Sequence, residues 1–363
     1  MNYEPPLLPL QTDLETKAVL KKLVGAHQAL AELKGCAGRV PNQGILIDTL
    51  SLQEAKDSSA IENIITTHDD LYRSDAIARQ FRSLEAKEVH SYAKALREGF
   101  QCVKRTGLIT SNDIIMIQAT LEENDAGFRK LPGTTLKNDS TGEIVYTPPQ
   151  DHQKILSLMK NLENFINDES LSDLDPLIKM AVIHHQFESI HPFYDGNGRT
   201  GRIINILFLV KMGLLSVPIL YLSRYINQNR ADYYRLLQAV RSNGAWEDWI
   251  VWMLDGVQRT ATQANQMVSD MARIMQSFKI RMRSELPKIY SQELLNNLFR
   301  HPYTKIEFLM KDLGVHRNSA MKYLNELAGH GFVVKMKLGR ENYYLNEPLF
   351  DLLRGAGAPG EPA

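Results

Sequence analysis

The amino-acid sequence predicts a mainly α-helical protein with one β-hairpin between its helices and a small α+β module near its C-terminus. Apolar residues recur at helical spacing over most of the 363 residues. Turn-forming residues gather between residues 128 and 149, and two alternating stretches follow a pair of helices after residue 331. A chain of this length is expected to hold two or three domains.

The N-terminal region, residues 1–105, is predicted to be helical after a proline-punctuated segment of about 12 residues. Apolar residues at helical spacing predict a first helix over Leu14–Leu33. Further helices are predicted over Ser51–Tyr72 and over Ser74–Gly99, the second of which is rich in charged residues.

The central region, residues 106–256, starts with a predicted helix over Thr110–Glu123 and then changes character. Residues 143–146 alternate as a strand does, and they are surrounded by turn signals: Pro132-Gly133, Asn138 to Gly142, and Pro148-Pro149. A β-hairpin inserted between helices is therefore expected.

Helices resume after the hairpin. They are predicted over three stretches: Pro176–Ser189, Arg199–Met212 and Asn227–Arg241. From Trp246 the apolar residues keep helical spacing almost to Pro287, which predicts one long amphipathic helix. Its second half, residues 257–286, connects the central region to the next domain.

The C-terminal module, residues 287–350, has the pattern of a winged helix-turn-helix. Two predicted helices, Ile306–Leu313 and Asn318–Ala328, are separated by a turn at Gly314. Two predicted strands follow and are joined through Gly339: Phe332–Leu338 and Asn342–Asn346. Residues 351–363 end in glycine, alanine and proline, and we expect a disordered tail.

Composition excludes several classes of protein. Lysine plus arginine equals aspartate plus glutamate at 42 each, so no overall field directs the chain to nucleic acid or an anionic membrane. The two cysteines do not suffice for a secreted disulfide framework. The N-terminus lacks the features of a signal peptide, and no apolar run approaches about eighteen residues. A cytoplasmic protein without membrane contact is expected.

Residues 191–202 carry the strongest chemical signal: His-Pro-Phe-Tyr-Asp-Gly-Asn-Gly-Arg-Thr-Gly-Arg. They lie between two predicted helices, and a helix N-terminus carries about half a positive charge. Arg199 and Arg202 in the first turn of the second helix oppose that dipole, and a bound polyphosphate would relieve the repulsion. Backbone N–H groups freed by Gly196 and Gly198 would hold phosphate oxygens.

Two other interpretations of these residues were considered. Residues 196–201 fit the G-x-G-x-x-G dinucleotide fingerprint, but that motif follows a β-strand and this one follows a predicted helix. His184, Glu188 and His191 have the i, i+4, i+7 spacing of metal ligands on a helix. Zinc is the weaker hypothesis, because the H-E-x-x-H order is absent and a helical His/Glu pair is more often a simple hydrogen bond.

The stretch resembles the signature of the Fic family, HPFxDGNGRxGR, at every defined position. Fic proteins are mostly adenylyltransferases that move AMP from ATP onto a protein hydroxyl group. The resemblance makes His191 the base that takes the hydroxyl proton, a role that suits an imidazole near neutral pH. Asp195 would hold Mg²⁺ (or Mn²⁺) against the α- and β-phosphates. ATP would be bound by the following residues: Gly196, Asn197, Gly198, Arg199, Thr200, Gly201 and Arg202.

The resemblance extends to sequences on both sides of the motif. Fic proteins commonly place a Tyr-Tyr pair against the nucleoside, which assigns that role to Tyr233 and Tyr234 with Leu237, although aromatic residues on a helix are more often core. The predicted hairpin matches the family's flap, which aligns the target segment beside ATP; a plain connecting hairpin is the alternative. Its candidate residues are Gly133, Thr134, Thr135 and Tyr146.

A second motif suggests autoinhibition. Residues 58–63, Ser-Ser-Ala-Ile-Glu-Asn, resemble the Fic inhibitory motif, in which the glutamate pairs with the second arginine of the signature. This assigns an inhibitory helix over residues 51–66 and a pair between Glu62 and Arg202, with Ser58 and Asn63 as motif residues. Some related proteins also use this glutamate to remove AMP. The local alternative is a capping box, with Ser59 as N-cap and Glu62 at N3.

The rival function is a DNA-binding transcriptional regulator that acts through the winged helix. Between Ser284 and Phe350 there are nine basic and seven acidic residues, a low excess for DNA binding. Five of the basic residues could still form one face: Arg317, Lys322, Lys335, Lys337 and Arg340. Docking of a protein partner is the other role for this module, and a homodimer is expected from the resemblance alone.

Overall fold

The computed structural model describes residues 3–76, 83–137, 141–338 and 341–355. Helices dominate it, as the sequence predicts. In the N-terminal region they are α1 (Lys17–Ala37), α2 (Gln43–Ile61), α3 (His68–Ala76) and α4 (Leu84–Thr106). The central region holds α5 (Ser111–Glu122), β1 (Leu136–Lys137), β2 (Ile144–Tyr146), α6 (His152–Asn167), a 3₁₀ turn (Glu169–Leu171), α7 (Pro176–Ile190), α8 (Asn197–Lys211), α9 (Leu222–Gln228), α10 (Arg230–Asn243) and α11 (Trp246–Glu285).

The helix that carries the predicted inhibitory residues differs from the prediction. Helix α2 begins eight residues before the predicted Ser51, because the Asn42 side chain accepts a hydrogen bond from the Gly44 N–H and caps it. It ends at Ile61, since Asn63 adopts a left-handed conformation with φ 65°. The predicted helix over Ser51–Tyr72 and the inhibitory helix over 51–66 are therefore wrong in their bounds.

Helices α7 and α8 form the centre of the molecule. In α7 every residue from Leu177 to Ile190 is buried, so this helix has no solvent face. Helix α8 is likewise buried over most of its length. Helix α11 spans 40 residues and packs along α1, so the predicted boundary at residue 256 falls inside one continuous helix.

The β-hairpin is present where the sequence predicts it. Strands β1 and β2 pair antiparallel, with Leu136 opposite Tyr146. The Tyr146 hydroxyl donates a 2.8 Å hydrogen bond to the Ser189 carbonyl, which anchors the hairpin to α7. The predicted turn over Asn138 to Gly142 falls partly on residues 138–140, which lie outside the described residues.

The C-terminal module has the element order of a winged helix-turn-helix. It contains α12 (Gln292–Arg300), β3 (Tyr303–Thr304), α13 (Ile306–Leu313), α14 (Arg317–Gly329), β4 (Val334–Leu338), β5 (Glu341–Leu345) and α15 (Glu347–Arg354). The strands form an antiparallel sheet in the order β3-β5-β4. Helix α15 corrects the expected disordered tail over 351–354, because its apolar residues Leu349, Phe350 and Leu353 are buried. The rest of that tail, from residue 356, and the join at Gly339 lie outside the described residues.

Across the described ranges, no helix combines the length and the apolar character needed to cross a lipid bilayer.

Candidate active site

The motif begins where α7 ends. His191 occupies the C-cap of this helix in a left-handed conformation, with φ 48° and ψ 60°, and its N–H donates to the Phe187 carbonyl at 2.9 Å. Because α7 is buried all around, the direction of this turn is fixed by the core. The histidine side chain is half-buried at the start of the loop.

The loop then leads to the N-terminus of α8. Gly196 supplies the left-handed N-cap, with φ 75°, and no side chain caps the helix. The Asn197 side chain is occupied otherwise: it accepts from the Phe193 N–H and donates to the Phe193 carbonyl, both at 2.9 Å. Asn197 therefore holds the loop with its side chain, which leaves its main-chain N–H for an anion. An uncapped N-terminus of this kind is suited to phosphate.

Arg202 is buried and held by α2. Its Nε donates to the Ser58 hydroxyl at 2.7 Å, and its Nη2 donates to the Ser58 carbonyl at 3.0 Å and to Glu62 Oε1 at 2.8 Å. The Glu62 carboxylate raises the pKa of Arg202 against the effect of burial, so the guanidinium stays charged. The predicted contact between Glu62 and Arg202 is thus present in the structure, together with Ser58.

The capping-box alternative for Glu62 is wrong. Glu62 is the C-cap of α2, not its N3 residue, and Ser59 lies inside the helix with a buried hydroxyl that has no hydrogen-bond partner. Asn63, the last motif residue, ends the helix and accepts a 2.7 Å hydrogen bond from Arg230 of α10.

Arg199 is surrounded by three carboxylates, two of which the sequence did not reveal. Its Nε lies 2.7 Å from Glu62 Oε2, its Nη1 3.1 Å from Glu88 Oε2 and its Nη2 2.8 Å from Glu122 Oε1. One glutamate, Glu62, therefore contacts both arginines of the motif. Burial raises the pKa of Glu122 to about 7, against the lowering effect of Arg199.

Three glycines at the start of α8 leave room for neighbouring carboxylate side chains. A methyl group on Gly198 would lie 2.6 Å from Glu62 Oε1 and 2.9 Å from Arg202 Nη1. A methyl group on Gly201 would lie 2.6 Å from Glu188 Oε1, and one on Gly196 would overlap the Glu122 carboxylate. Gly201 therefore serves the packing of α8 against α7, whereas Gly198 leaves room for Glu62.

The environment of His191 keeps its ring neutral. Burial lowers the pKa of His191 to about 3, with the Arg129 and Arg241 cations as further causes. Its Nδ1 is buried and has no hydrogen-bond partner among the described residues. A neutral imidazole can accept a proton across the physiological pH range, as a general base must.

Asp195 fits the role of a Mg²⁺ ligand. It is exposed beside the start of α8, and its Oδ1 accepts the Gly196 N–H at 2.7 Å. Within the described ranges, no group of three His, Cys, Asp or Glu side chains could hold a metal ion. In proteins Mg²⁺ is usually bound through one or two carboxylates together with substrate phosphates and water.

The zinc hypothesis is wrong, because the described residues hold no group of three side chains that could bind a metal, and His184 is engaged elsewhere. His184 is buried, with Nε2 2.9 Å from the Tyr233 hydroxyl and Nδ1 3.0 Å from the Asn205 amide nitrogen. Both ring nitrogens are therefore already engaged inside the core. The G-x-G-x-x-G fingerprint is also excluded, since α7 and not a strand precedes it.

The predicted nucleoside residues divide into buried and exposed ones. Tyr233 is 2% exposed, and its ring lies among Trp249, Trp252 and Tyr234. Leu237 is buried as well, and its carbonyl is 3.3 Å from His185 Nε2. Tyr234 is 48% exposed, so its ring is the one of the pair that can meet a nucleoside. Thr200 is buried with an unpartnered hydroxyl.

The flap residues are tied to the chain beside the motif. Gln150 accepts from the Gly133 N–H at 2.6 Å and donates to the Thr134 carbonyl at 3.0 Å. Thr135 is half-buried, and Tyr146 is a buried anchor. Only part of the predicted flap set is thus exposed for contact with a target.

Two of the five basic residues of the predicted DNA-binding face form ion pairs within the module. Arg317 lies 2.9 Å from Glu307, Lys322 lies 3.8 Å from Glu326, and Lys335 donates to Asn325 at 2.9 Å. Lys337 is exposed, and Arg340 lies outside the described residues. These pairs add no support to the regulator hypothesis.

Comparisons with known proteins agree with this architecture. Three family models match consecutive parts of the chain: Fic/DOC family N-terminal over residues 20–101, Fic/DOC family over 108–209, and protein adenylyltransferase SoFic-like C-terminal domain over 274–349. A Fic family protein from Desulfovibrio desulfuricans has a similar structure, with a TM-score of 0.57 at 19% identity over 94% of this chain and 98% of that one. Fic-1 from Caenorhabditis elegans (residues 134–508) has a TM-score of 0.51 at 20% identity over 70% of this chain and 73% of that one.

Two relatives show how far the sequence similarity reaches. A probable protein adenylyltransferase of Aquifex aeolicus is 27% identical over 187 residues, which are 51% of this chain and 55% of that protein. The protein adenylyltransferase fic-1 of C. elegans is 34% identical over 91 residues, 24% of this chain and 16% of that protein. The chain thus spans about half or less of the length of these relatives. Since the family models follow one another in order and the middle one includes His191 to Arg202, the chain belongs to the Fic/DOC family.

Proposed function

We propose that this protein is a protein adenylyltransferase, which moves AMP from ATP onto a Ser, Thr or Tyr hydroxyl group of a protein, itself included. The observation that carries the proposal is the junction of α7 and α8, where a neutral His191 precedes an uncapped helix N-terminus with two buried arginines. The names of the relatives from A. aeolicus and C. elegans support the same activity.

The reaction uses these groups in sequence. His191 accepts the proton of the target hydroxyl, and the hydroxyl oxygen forms a bond to the α-phosphorus of ATP. The bond between the α-phosphorus and the bridging oxygen to the β-phosphate breaks, and pyrophosphate leaves with that oxygen. The N-terminal amides of α8 and the two arginines neutralise charge on the phosphates.

Arg199 and Arg202 would hold the β- and γ-phosphates in the active state. In the structure both guanidinium groups are engaged by Glu62 instead. ATP can then be bound without a partner for its γ-phosphate, so the α-phosphate is not aligned for attack. We therefore propose that Glu62 inhibits the enzyme. Removal of AMP, cytoplasmic location and a homodimer stay predictions from the sequence.

The proposal is tested by incubating the Glu62→Gly protein and a cell lysate with ATP labelled on the α-phosphate and, separately, on the γ-phosphate. Protein bands that carry only the α-label support transfer of AMP. Bands that carry the γ-label would indicate phosphoryl transfer instead, and the absence of any labelled band would contradict the proposal.

The Asp195 carboxylate would bind Mg²⁺ next to the phosphates of ATP. The metal would polarise those phosphates. In the Glu62→Gly background, Asp195→Asn is expected to weaken Mg²⁺-dependent ATP binding by at least about tenfold, a size that even outer-shell substitutions reach at metal sites. Calorimetry with ATP, with and without Mg²⁺, measures this change. Asp173→Asn, an exposed acid before α7, is the matched control. Equal loss in both variants, or no loss in either, would remove Asp195 from the metal site.

A further inference from the structure

Arg129 has unusual surroundings for a charged side chain. It precedes the hairpin, is fully buried, and contacts main-chain carbonyl groups. Its Nε donates to the His191 carbonyl at 2.8 Å, and its Nη2 donates to the Pro149 carbonyl and lies 3.5 Å from the Ile190 carbonyl. Its own N–H donates to the Pro192 carbonyl at 2.8 Å.

No carboxylate among the described residues pairs with this guanidinium, and the nearby Tyr146 and Tyr194 hydroxyls are neutral at physiological pH. Burial lowers the pKa of Arg129, as expected for a cation without an acid. The partial negative charge at the C-terminus of α7 takes the place of a counterion. The last carbonyl groups of a helix lack partners within the helix, and Arg129 supplies donors to those at the end of α7.

These contacts hold His191 in a conformation that its residue type disfavours. A left-handed backbone at a non-glycine residue is strained and persists only when its surroundings enforce it. The His191 N–H is fixed by Phe187 and its carbonyl by Arg129, so both sides of the residue are held. Pro149 follows β2, so the same guanidinium also links the hairpin to the histidine.

We propose that Arg129 is the positioning residue of His191: it fixes the left-handed turn that directs the imidazole and ties the flap to it. The inference rests on the proposed function, because it concerns the base of that reaction. Two cations face His191, Arg129 from the loop before β1 and Arg241 from α10, while Glu188 lies one turn back on α7. Arg241 is held separately, by the Ser189 hydroxyl at 3.1 Å and over the Tyr146 ring at 4.2 Å.

The test compares Glu62→Gly with the same protein carrying Arg129→Gln or Arg129→Lys. The Gln variant is expected to transfer AMP about 100-fold more slowly, the size that follows from a displacement of about 1 Å in a reacting group. It should also shift the acid limb of the pH–rate profile to higher pH, since removal of a cation favours the imidazolium ion. The Lys variant keeps the charge but cannot reach three carbonyls. Its rate of AMP transfer should therefore fall, while the acid limb of its pH–rate profile should shift less than that of the Gln variant. Lys130→Gln, an exposed neighbour, is the control.

NMR titration of the His191 ring measures the same effect without catalysis. A raised imidazole pKa in a folded Gln variant supports the proposal. An unchanged titration together with a uniform loss of rate at all pH values would reduce Arg129 to a structural role and overturn it. If Arg129→Gln does not fold, the Lys variant decides by the same two measurements. An inactive Glu62→Gly parent would contradict the proposed function instead, and the titration would still test Arg129.

A different set of contacts concerns the C-terminal module. It packs against α2 and α3, the segments on either side of Glu62. Arg300 Nε lies 3.1 Å from Asp48 Oδ2, and the Tyr303 hydroxyl donates to Asp69 Oδ1 at 2.5 Å. The Gln53 amide, in the middle of α2, donates to the Leu353 carbonyl of α15 at 2.8 Å.

We infer that the C-terminal module holds α2 in the position that places Glu62 on the two arginines; this inference rests on the proposed autoinhibition. Asp48 lies within α2 and Glu62 is the C-cap of the same continuous helix, so a contact at one end bears on the position of the other. A ligand that binds the module only when it is released from α2 would therefore activate the enzyme.

A double-mutant comparison tests this coupling. Combined Arg300→Ala and Tyr303→Phe is expected to raise AMP transfer about two- to tenfold in the wild-type background, the range for loss of partly exposed polar contacts. In the Glu62→Gly background the same pair should have no effect, because the inhibitory contact is already absent. Arg317→Ala, whose partner Glu307 lies within the module, is the control. An equal rise in both backgrounds, or none in the wild type, would overturn the inference.

Discussion

Replacement of Glu62 by glycine is expected to raise AMP transfer by roughly 10- to 100-fold. The carboxylate contacts both Arg199 and Arg202, at 2.7 and 2.8 Å, and those contacts must break before the arginines can bind phosphates. We take the net effect as that of about one hydrogen bond to a charged group, roughly 1.5–3 kcal/mol, because Glu62 is partly exposed and its contacts are screened by water; about 1.4 kcal/mol corresponds to a tenfold change. When the carboxylate is removed, both arginines can bind the phosphates of ATP without competition from Glu62.

The fold should tolerate this change. Glu62 is the C-cap of α2, where the helix dipole disfavours an anion, and its φ of −98° requires no left-handed conformation. Activity is measured as incorporation of α-labelled AMP, and stability as the thermal midpoint. Glu88→Gln is the matched control, because Glu88 contacts Arg199 alone and its side chain is 42% exposed. A folded Glu62→Gly protein with wild-type transfer would contradict autoinhibition.

Replacement of His191 by alanine is expected to lower transfer by about 10²- to 10⁴-fold in the Glu62→Gly background, the contribution typical of a general base. ATP binding should persist, since the phosphate groups are held by α8 and its arginines. Calorimetry with ATP and Mg²⁺ therefore separates loss of chemistry from loss of binding. His316→Ala, at an exposed position before α14, should leave both quantities unchanged.

The pH dependence follows from the same histidine. The pKa of His191 is lowered to about 3, so the folded enzyme holds a neutral ring at any pH well above that value. We expect no acid limb from this group between about pH 6 and 8, in contrast with an unperturbed imidazole near about 6.5. A bell-shaped profile with a midpoint near that unperturbed value, lost in His191→Ala, would contradict the burial of the base.

Local patterns were sufficient for most of the architecture. Helical spacing predicted the helices, and turn residues with an alternating stretch predicted the hairpin that β1 and β2 form. The errors lie at ends: α2 begins at Gln43 and stops at Ile61, because the caps at Asn42 and Asn63 outweigh the apolar spacing. Propensity and spacing do not show which of several polar residues acts as a cap.

For the site as well, local sequence patterns predicted some residues and missed others. Residues 191–202 are contiguous, so their order alone placed the base, the acid and the arginines at one helix–loop–helix junction. Glu88, Glu122 and Arg129 come from α4, α5 and the loop before the hairpin, and nothing in their local sequence marks them. Tyr233 and Tyr234 are adjacent in sequence, yet only one is exposed, because the side chain of the other points into the core.

By itself the sequence determined which chemical groups meet at the junction of two helices, because residues within one short segment cannot be far apart. The tertiary structure decided which partners those groups contact and whether they carry a proton. Packing brings α2 across α8, so that a carboxylate 140 residues from Arg202 contacts it at 2.8 Å. It also places the half-buried His191 beside two cations. Burial and nearby charge set whether a group holds a proton, and both come from the fold and not from neighbours in the chain.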